Sequence, residues 1–198
     1  DWLYTYLTIA RNNKAMSNTI EQYNEVIRGC EDVFLKKTAD YGTSWRMLRP
    51  ISIVDQIYIK AWRIRQIQEN KGVQKIEDSI ESEFSGIINY GYIALIQSGL
   101  DDKAPTELPV DTVKELYEVQ VNAVRELMLK KNHDYGEAWR NMSQESFADL
   151  ILTKLLRIKQ ILANEGKTII SEGMDANFCD IINYAIFALI LIEEQKTK

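Results

Sequence analysis

The chain has a single histidine, His133, and only two cysteines, Cys30 and Cys179. Neither cysteine belongs to a Cys-x-x-Cys or mixed Cys/His spacing, which excludes a zinc cluster of the usual ligand pattern and a disulfide framework; both thiols are expected to be buried and reduced. Lys and Arg form no block and the net charge is −5, so the electrostatic footprint for a nucleic-acid polymer is missing. The longest apolar run, 181–192, is interrupted by Asn183 and falls short of the roughly 20 residues that cross a bilayer, so no membrane span is expected. A signal-peptide pattern is also lacking, which makes the cytoplasm the expected address. No stretch alternates apolar and polar residues in the manner of a half-buried strand. What remains is a chain with 45% hydrophobic and 27% charged residues, the balance of a globule with a substantial core.

The dominant feature is a repeat. Lys36-Lys37-Thr38-Ala39-Asp40-Tyr41-Gly42-Thr43-Ser44-Trp45-Arg46 returns as Lys130-Lys131-Asn132-His133-Asp134-Tyr135-Gly136-Glu137-Ala138-Trp139-Arg140, an offset of 94 residues. The offset runs without a gap from Glu21/Glu115 to Ile96/Ile190 and carries 29 identities in 76 positions. The chain is therefore read as a tandem duplication: an N-terminal extension (1–16), copy 1 (17–98), a linker (99–110) and copy 2 (111–198). His133 stands opposite Ala39 and reads as a loop residue.

Each copy is expected to contain three helices. Asn18 with Glu21, and Thr112 with Glu115, have the spacing of capping boxes that open the first. Before them, 1–7 reads as a separate short aromatic helix, and Met16 suggests an ancestral start of the unit. Gly42 and Gly136 suit the C-terminal turn of the first helix. The second runs from about Ser52 to Asn70 and from about Ser146 to Asn164. The third carries Phe84, Ile87, Ile88, Gly91 and Leu95, repeated as Phe178, Ile181, Ile182, Ala185 and Leu189, and is apolar nearly all round. One copy cannot cover such a helix, so the two are predicted to pack as an all-α bundle about a pseudo-two-fold axis. A further homodimer of the duplicated chain stays open.

Several positions are candidates for chemistry. Lys60 and Arg63, repeated as Lys154 and Arg157, lie within an apolar stripe and call for an anion, either a ligand phosphate or a protein carboxylate such as Asp55 or Asp149. Asp40, Tyr41 and Trp45, with twins Asp134, Tyr135 and Trp139, offer flat aromatic faces and an acceptor for a nucleobase; the competing reading is a turn whose aromatics plug the bundle end. Lys37 and Lys131 precede the aspartates by three residues, which predicts local Lys–Asp pairs or a phosphate contact. Asn89 and Asn183 are available to a ligand or to the backbone across the bundle. The third helix presents Glu83 where copy 2 has Asn177, and Asp180 where copy 1 has Gly86.

The order Lys-x-x-Asp-Tyr-Gly, then Lys-x-x-Arg, then Asp-Ile-Ile-Asn-Tyr-Ala-x-x-Ala-Leu resembles the family once called domain of unknown function 1599 and renamed a nucleotide modification associated domain. The tandem form is similar to bacterial members. More distantly, the third helix resembles the Glu-x-x-Asp helix of the MazG-like all-α nucleoside triphosphate pyrophosphohydrolases, whose acids hold Mg²⁺. That pattern maps onto Glu83 and Asp180, while the earlier Glu-Glu-x-x-Glu signature is reduced to Asp55 and Asp149. The resemblance implies a small-molecule nucleotide as partner. It also implies either Mg²⁺-dependent hydrolysis of a canonical or modified nucleotide, with Glu83 and Asp180 meeting in one composite site, or a non-catalytic nucleotide sensor or helical interaction module.

Overall fold

The computed structural model describes residues 2–169 and 172–198, without the side chains of residues 2, 3 and 12–17. Asp1 and the side chains of Trp2, Leu3 and Met16, on which part of the expected extension rests, lie outside the described residues. Six α-helices follow in order: α1 (Trp2–Tyr41), α2 (Pro50–Glu69), α3 (Ile80–Gly99), α4 (Val110–Tyr135), α5 (Gln144–Ala163) and α6 (Met174–Lys196). Two 3₁₀ turns, Ser44–Met47 and Ala138–Asn141, separate the first and second helix of each copy. There is no strand among the described residues, and the predicted all-α duplicated bundle is the fold observed.

α3 and α6 form the centre and run antiparallel. Lys196 Nζ meets Glu81 Oε1 at 2.8 Å at one end, and Ser98 Oγ donates to Asp175 at 3.0 Å at the other. Between them Gly91 lets the helices approach: a Cβ there would lie 2.6 Å from Ile182 Cγ1. Phe84, Ile87 and Ile88 of α3 and Ile181, Ile182 and Ile186 of α6 are buried on this axis. Full burial of such a side chain stabilises the fold by about 1.5–3 kcal/mol. α2 and α5 make a second antiparallel pair, flanked by Lys159–Asp55 at 3.1 Å and Arg65–Asp149 at 3.5 Å. These two bridges are images of each other, because Arg65 and Lys159 are twins at the 94-residue offset.

The first helices lie outside and exchange hydrogen bonds with the opposite copy. Tyr23 Oη donates to Asn183 Oδ1 at 2.7 Å, and its twin Tyr117 Oη donates to Asn89 Oδ1 at 2.8 Å. Asn89 Nδ2 in turn donates to the Cys30 carbonyl at 3.0 Å. The two asparagines thus tie one copy to the other, and Asn89 also lines a cleft in copy 1.

Three local expectations change. The separate aromatic helix and the Asn18–Glu21 capping box are absent because α1 continues from Trp2 to Tyr41; no Gly or Pro occurs before Gly29 to break it. In copy 2 the helix starts at Val110 rather than after Thr112. Pro109 holds the N-cap position at φ −58° and ψ 146°, so Thr112 and Glu115 already lie within the helix. Finally, α6 is 23 residues long and by length and composition suffices to cross a membrane, which the 12-residue apolar run did not suggest. Its apolar surface is covered by the other helices: 72% of its most apolar window is buried, as the central helix of a bundle requires.

Candidate functional site

The cations of the apolar stripes find their anions on the third helices. In copy 2, Asp180 is buried and bridges two lysines: Lys131 Nζ lies 2.6 Å from one carboxylate oxygen and Lys154 Nζ 2.7 Å from the other. Lys131 sits on the last turns of α4 and Lys154 in the middle of α5, so this triad ties all three helices of the copy together. Burial works to lower the Lys131 pKa, but the hydrogen bond and charge of Asp180 outweigh it and hold the ammonium above its ordinary value. The neighbouring Tyr184 is shifted upward, first by burial and then by the Asp180 charge.

In copy 1 the arrangement is displaced by one helical turn. Gly86 stands in place of Asp180, and the acid is Glu83. Arg63 Nη1 donates to Glu83 Oε1 at 2.6 Å, and Lys60 Nζ is 3.5 Å from Oε2. A second Arg63 nitrogen donates to the carbonyls of Ile76 and Asp78, at 3.2 and 2.8 Å, which pins the α2–α3 loop. The Lys60 chain lies along the bare face of Gly86, its Cε 2.8 Å from where a Cβ would stand. Lys37, the twin of Lys131, is exposed and has no anionic partner among the described residues.

The consequence is a cleft of about 720 Å³ between the C-terminal end of α1, α2 and α3. Lys37, Tyr41, Lys60, Glu83, Gly86 and Tyr90 contribute to its walls, with Phe34 and Trp45 at its apolar side. Tyr41 is exposed, whereas Tyr90 is half-buried and shifted upward in pKa by burial, with Tyr41 close enough to add to the effect. Arg63 lies outside this lining and faces a smaller pocket with Val73 and Ile76. Arg157 is exposed on a third pocket formed by α5 and the loop that follows it, alongside Lys154 and Asn177. The four stripe cations therefore do not converge on one site.

The motif Asp-Tyr-Gly-x-x-Trp-Arg divides by role. Gly42 and Gly136, at φ +73° and +59°, close the first helices in the left-handed conformation that glycine adopts without strain. Trp45 and Trp139 are buried; Trp139 stacks on Phe187 at 4.2 Å and lies beneath the Arg140 guanidinium at 4.4 Å. Arg46 clamps the linker by donating to the carbonyls of Pro105 and Ala104, whereas Arg140 bridges to Glu194 at 2.7 Å. The Trp–Arg half is thus a plug and clamp for the bundle end, which leaves Tyr41 and Tyr135 as its exposed aromatic faces. Asp40 and Asp134 are exposed. The expected local Lys–Asp pairs do not form: Lys131 reaches across to Asp180, Lys37 points into the cleft lining, and Asp134 meets His133 at 3.1 Å instead.

The acids do not make the composite Mg²⁺ site. The antiparallel register, with Gly91 facing Ile182, sets Glu83 near the level of Ile190 and Asp180 near that of Ile93. Ten residues at about 1.5 Å each separate the two by about 15 Å along the axis, beyond the reach of one ion. Each carboxylate is also neutralised by the cations of its own copy. Asp55 and Asp149 belong to the α2–α5 seam. No group of three or more His, Cys, Asp or Glu side chains that could hold a metal ion occurs among the described residues.

The position that sequence reasoning undervalued is Gly86. The signal was present in the repeat, since a glycine inside a helix opposite an aspartate in the twin changes both charge and volume. Gln97 was missed altogether: its amide donates to the carbonyls of Arg46 and Leu48 and fixes the 3₁₀ turn, and Leu191 at the twin position gives no hint of it.

No curated protein and no solved structure matches the chain. One family model, DUF1599, described as nucleotide modification associated domain 1, matches twice, over residues 37–98 and 131–192. The two segments begin at the equivalent lysines Lys37 and Lys131, run through the cation-bearing second helices and the central third helices, and together span more than half of the sequence. The chain belongs to the nucleotide modification associated domain 1 family, in a form that carries the domain twice.

Proposed function

We propose that the protein binds a free nucleotide in the copy 1 cleft and acts as a binding or sensing module. The observation that carries this reading is the combination, in one cleft, of an uncommitted lysine, Lys37, with the flat faces of Tyr41 and Tyr90. Phosphate needs cations, and a base needs an aromatic face with polar groups at its rim. Ser82, Ser85 and Gln56 supply that rim. The volume lies within the range of about 300–1,000 Å³ of small-molecule sites. The family description points to nucleotides as the chemical class, and the absence of a basic block in the sequence favours a free nucleotide over a polymer.

Hydrolysis through Mg²⁺ is not part of the reading, because the acids that would carry the ion are neutralised by lysine and arginine and lie far apart. The test is a thermal-melt screen against canonical and modified nucleoside mono- and triphosphates, run beside a pyrophosphate-release assay with Mg²⁺. At 100-fold excess over Kd a ligand adds about 2.7 kcal/mol. At about 2–4 °C per kcal/mol for a chain of this size, Tm rises by about 5–11 °C. The expected result is such a rise without turnover. Turnover would replace the sensor with a hydrolase, and a flat response to every nucleotide at millimolar concentration would end the nucleotide reading.

A further inference from the structure

The two copies show the same cation pair in two states. In copy 2 a carboxylate fills the gap between the lysines from α4 and α5, with both contacts near 2.7 Å, the distances of charge-assisted hydrogen bonds. In copy 1 the equivalent lysines, Lys37 and Lys60, line an open cleft whose matching position is Gly86. The carboxylate has gone, and the cations and the scaffold that held it remain.

We propose that the anionic group of a ligand, a phosphate or a carboxylate, binds between Lys37 and Lys60 in the place that Asp180 occupies between Lys131 and Lys154. The chain then carries one open anion subsite, in copy 1, and one that the protein fills itself, in copy 2. The inference deepens the nucleotide reading and rests on it only for what the rest of the ligand is.

Three observations support the assignment. Gly86 lies inside α3, where glycine is less favourable than alanine by about 0.8–1.0 kcal/mol, and backbone packing does not require it: the atoms a Cβ would meet belong to the flexible Lys60 chain. Gly91 on the same helix, by contrast, faces the fixed Ile182 side chain. Lys60 is already at the subsite, with Nζ 3.1 Å from the position of a Cβ on Gly86, and its bond to Glu83 is the longer of that acid's two contacts. Lys37 supplies a charge that no anionic group among the described residues uses. Glu83 and Asp78 also line the cleft. The buried Glu83 is already matched by Arg63, so a bound anion meets two lysines rather than a bare carboxylate.

The experiment exchanges the two states. Gly86→Asp places a carboxylate at the open subsite, Lys37→Met removes its exposed cation without touching the core, and Asp180→Gly opens the closed subsite. Calorimetric titration uses two probes, inorganic pyrophosphate and the nucleoside triphosphate that raises Tm most. The wild type is expected to bind one equivalent of a probe, Gly86→Asp and Lys37→Met to lose at least tenfold in affinity, and Asp180→Gly, where it folds, to bind a second equivalent. Neither probe binding the wild type, or both Gly86→Asp and Lys37→Met binding with less than a tenfold loss, overturns the subsite. If the nucleotide binds all variants alike, the subsite fails and the nucleotide reading stands. If pyrophosphate binds and responds as expected while no nucleotide binds, the subsite stands and the nucleotide reading fails.

Discussion

Replacing Asp180 by asparagine removes one charge and almost no volume, and the geometry sets the cost. The side chain is 9% exposed and serves Lys131 and Lys154 together. Lys131, 43% exposed, can turn its ammonium into water once the partner is neutral. Lys154 is 13% exposed and emerges from the apolar face of α5, so it has far less access to solvent. Removing one partner of a buried pair costs about 3–5 kcal/mol, because the remaining charge stays desolvated. With one of the two lysines free to rehydrate, about 2–4 kcal/mol is expected for Asp180→Asn. At about 2–4 °C per kcal/mol the melting temperature falls by about 4–16 °C. Differential scanning calorimetry reads the drop, with the exposed Asp134→Asn as a control that shifts stability by about 0.5 kcal/mol or less. Adding Lys154→Met to Asp180→Asn is expected to recover most of the loss, since an apolar side chain of similar shape needs no counterion. A change below 2 °C for Asp180→Asn alone would show that the lysines are well solvated and that copy 2 is not a self-filled site.

Other measurements reach other parts of the account. Tyr23→Phe strips a donor from the buried Asn183 and Tyr117→Phe one from the half-buried Asn89, and each is expected to cost about 1–3 kcal/mol in urea unfolding; no change in midpoint would remove the inter-copy lock. Gly91→Ala forces a Cβ to within 2.6 Å of Ile182 and is expected to destabilise by about 1–3 kcal/mol, whereas an effect near zero would mean that α3 and α6 are less closely packed. The Glu81 pKa is lowered by its hydrogen bond from Lys196, so this pair contributes above the ordinary carboxylate range and is lost as pH falls through the lowered value. Lys196→Met should therefore make acid unfolding begin at a higher pH, and an unchanged acid profile would contradict the pairing. Burial pushes the thiols of Cys30 and Cys179 up to about 12 and about 11. Cys30 is buried as expected, whereas Cys179 is only half-buried; at pH 8 Cys30 in the native protein is expected to react with a disulfide reagent far more slowly than free cysteine, and its fast labelling would contradict that burial.

The helices, their order and the duplication were legible in the sequence because they rest on periodicity and on an ungapped repeat, which are local or self-referential signals. Phe84, Ile87 and Ile88, for example, lie on the bundle axis where the apolar third helix put them. Helix starts were less legible: Asn18 has the spacing of a cap, yet nothing upstream interrupts the helix, and Pro109 ends the linker before Thr112 can act. The need of the stripe cations for anions was readable, and the identity of the anions was not. Spacing along one helix cannot say that Lys154 meets Asp180 from another helix rather than Asp149 from its own. Trp45 and Trp139 looked equally suited to a base and to a core; both are buried, and Trp45 also forms part of the wall of the copy 1 cleft. The Glu83/Asn177 and Gly86/Asp180 exchanges invited a shared metal site because sequence shows complementarity without direction. The antiparallel register of α3 and α6 is what holds the two acids apart.

The central claim is that a ligand binds copy 1 through a lysine whose twin in copy 2 is occupied by the protein itself. Its most direct test is the affinity of Lys37→Ala beside that of Lys131→Ala for the nucleoside triphosphate that raises Tm most. A charge-assisted hydrogen bond contributes about 1.5–3 kcal/mol, or roughly 10- to 150-fold in Kd. The account predicts a loss of that size for Lys37→Ala and a Kd within about threefold of wild type for Lys131→Ala. An equal loss for the two variants, or no loss for Lys37→Ala, would contradict it.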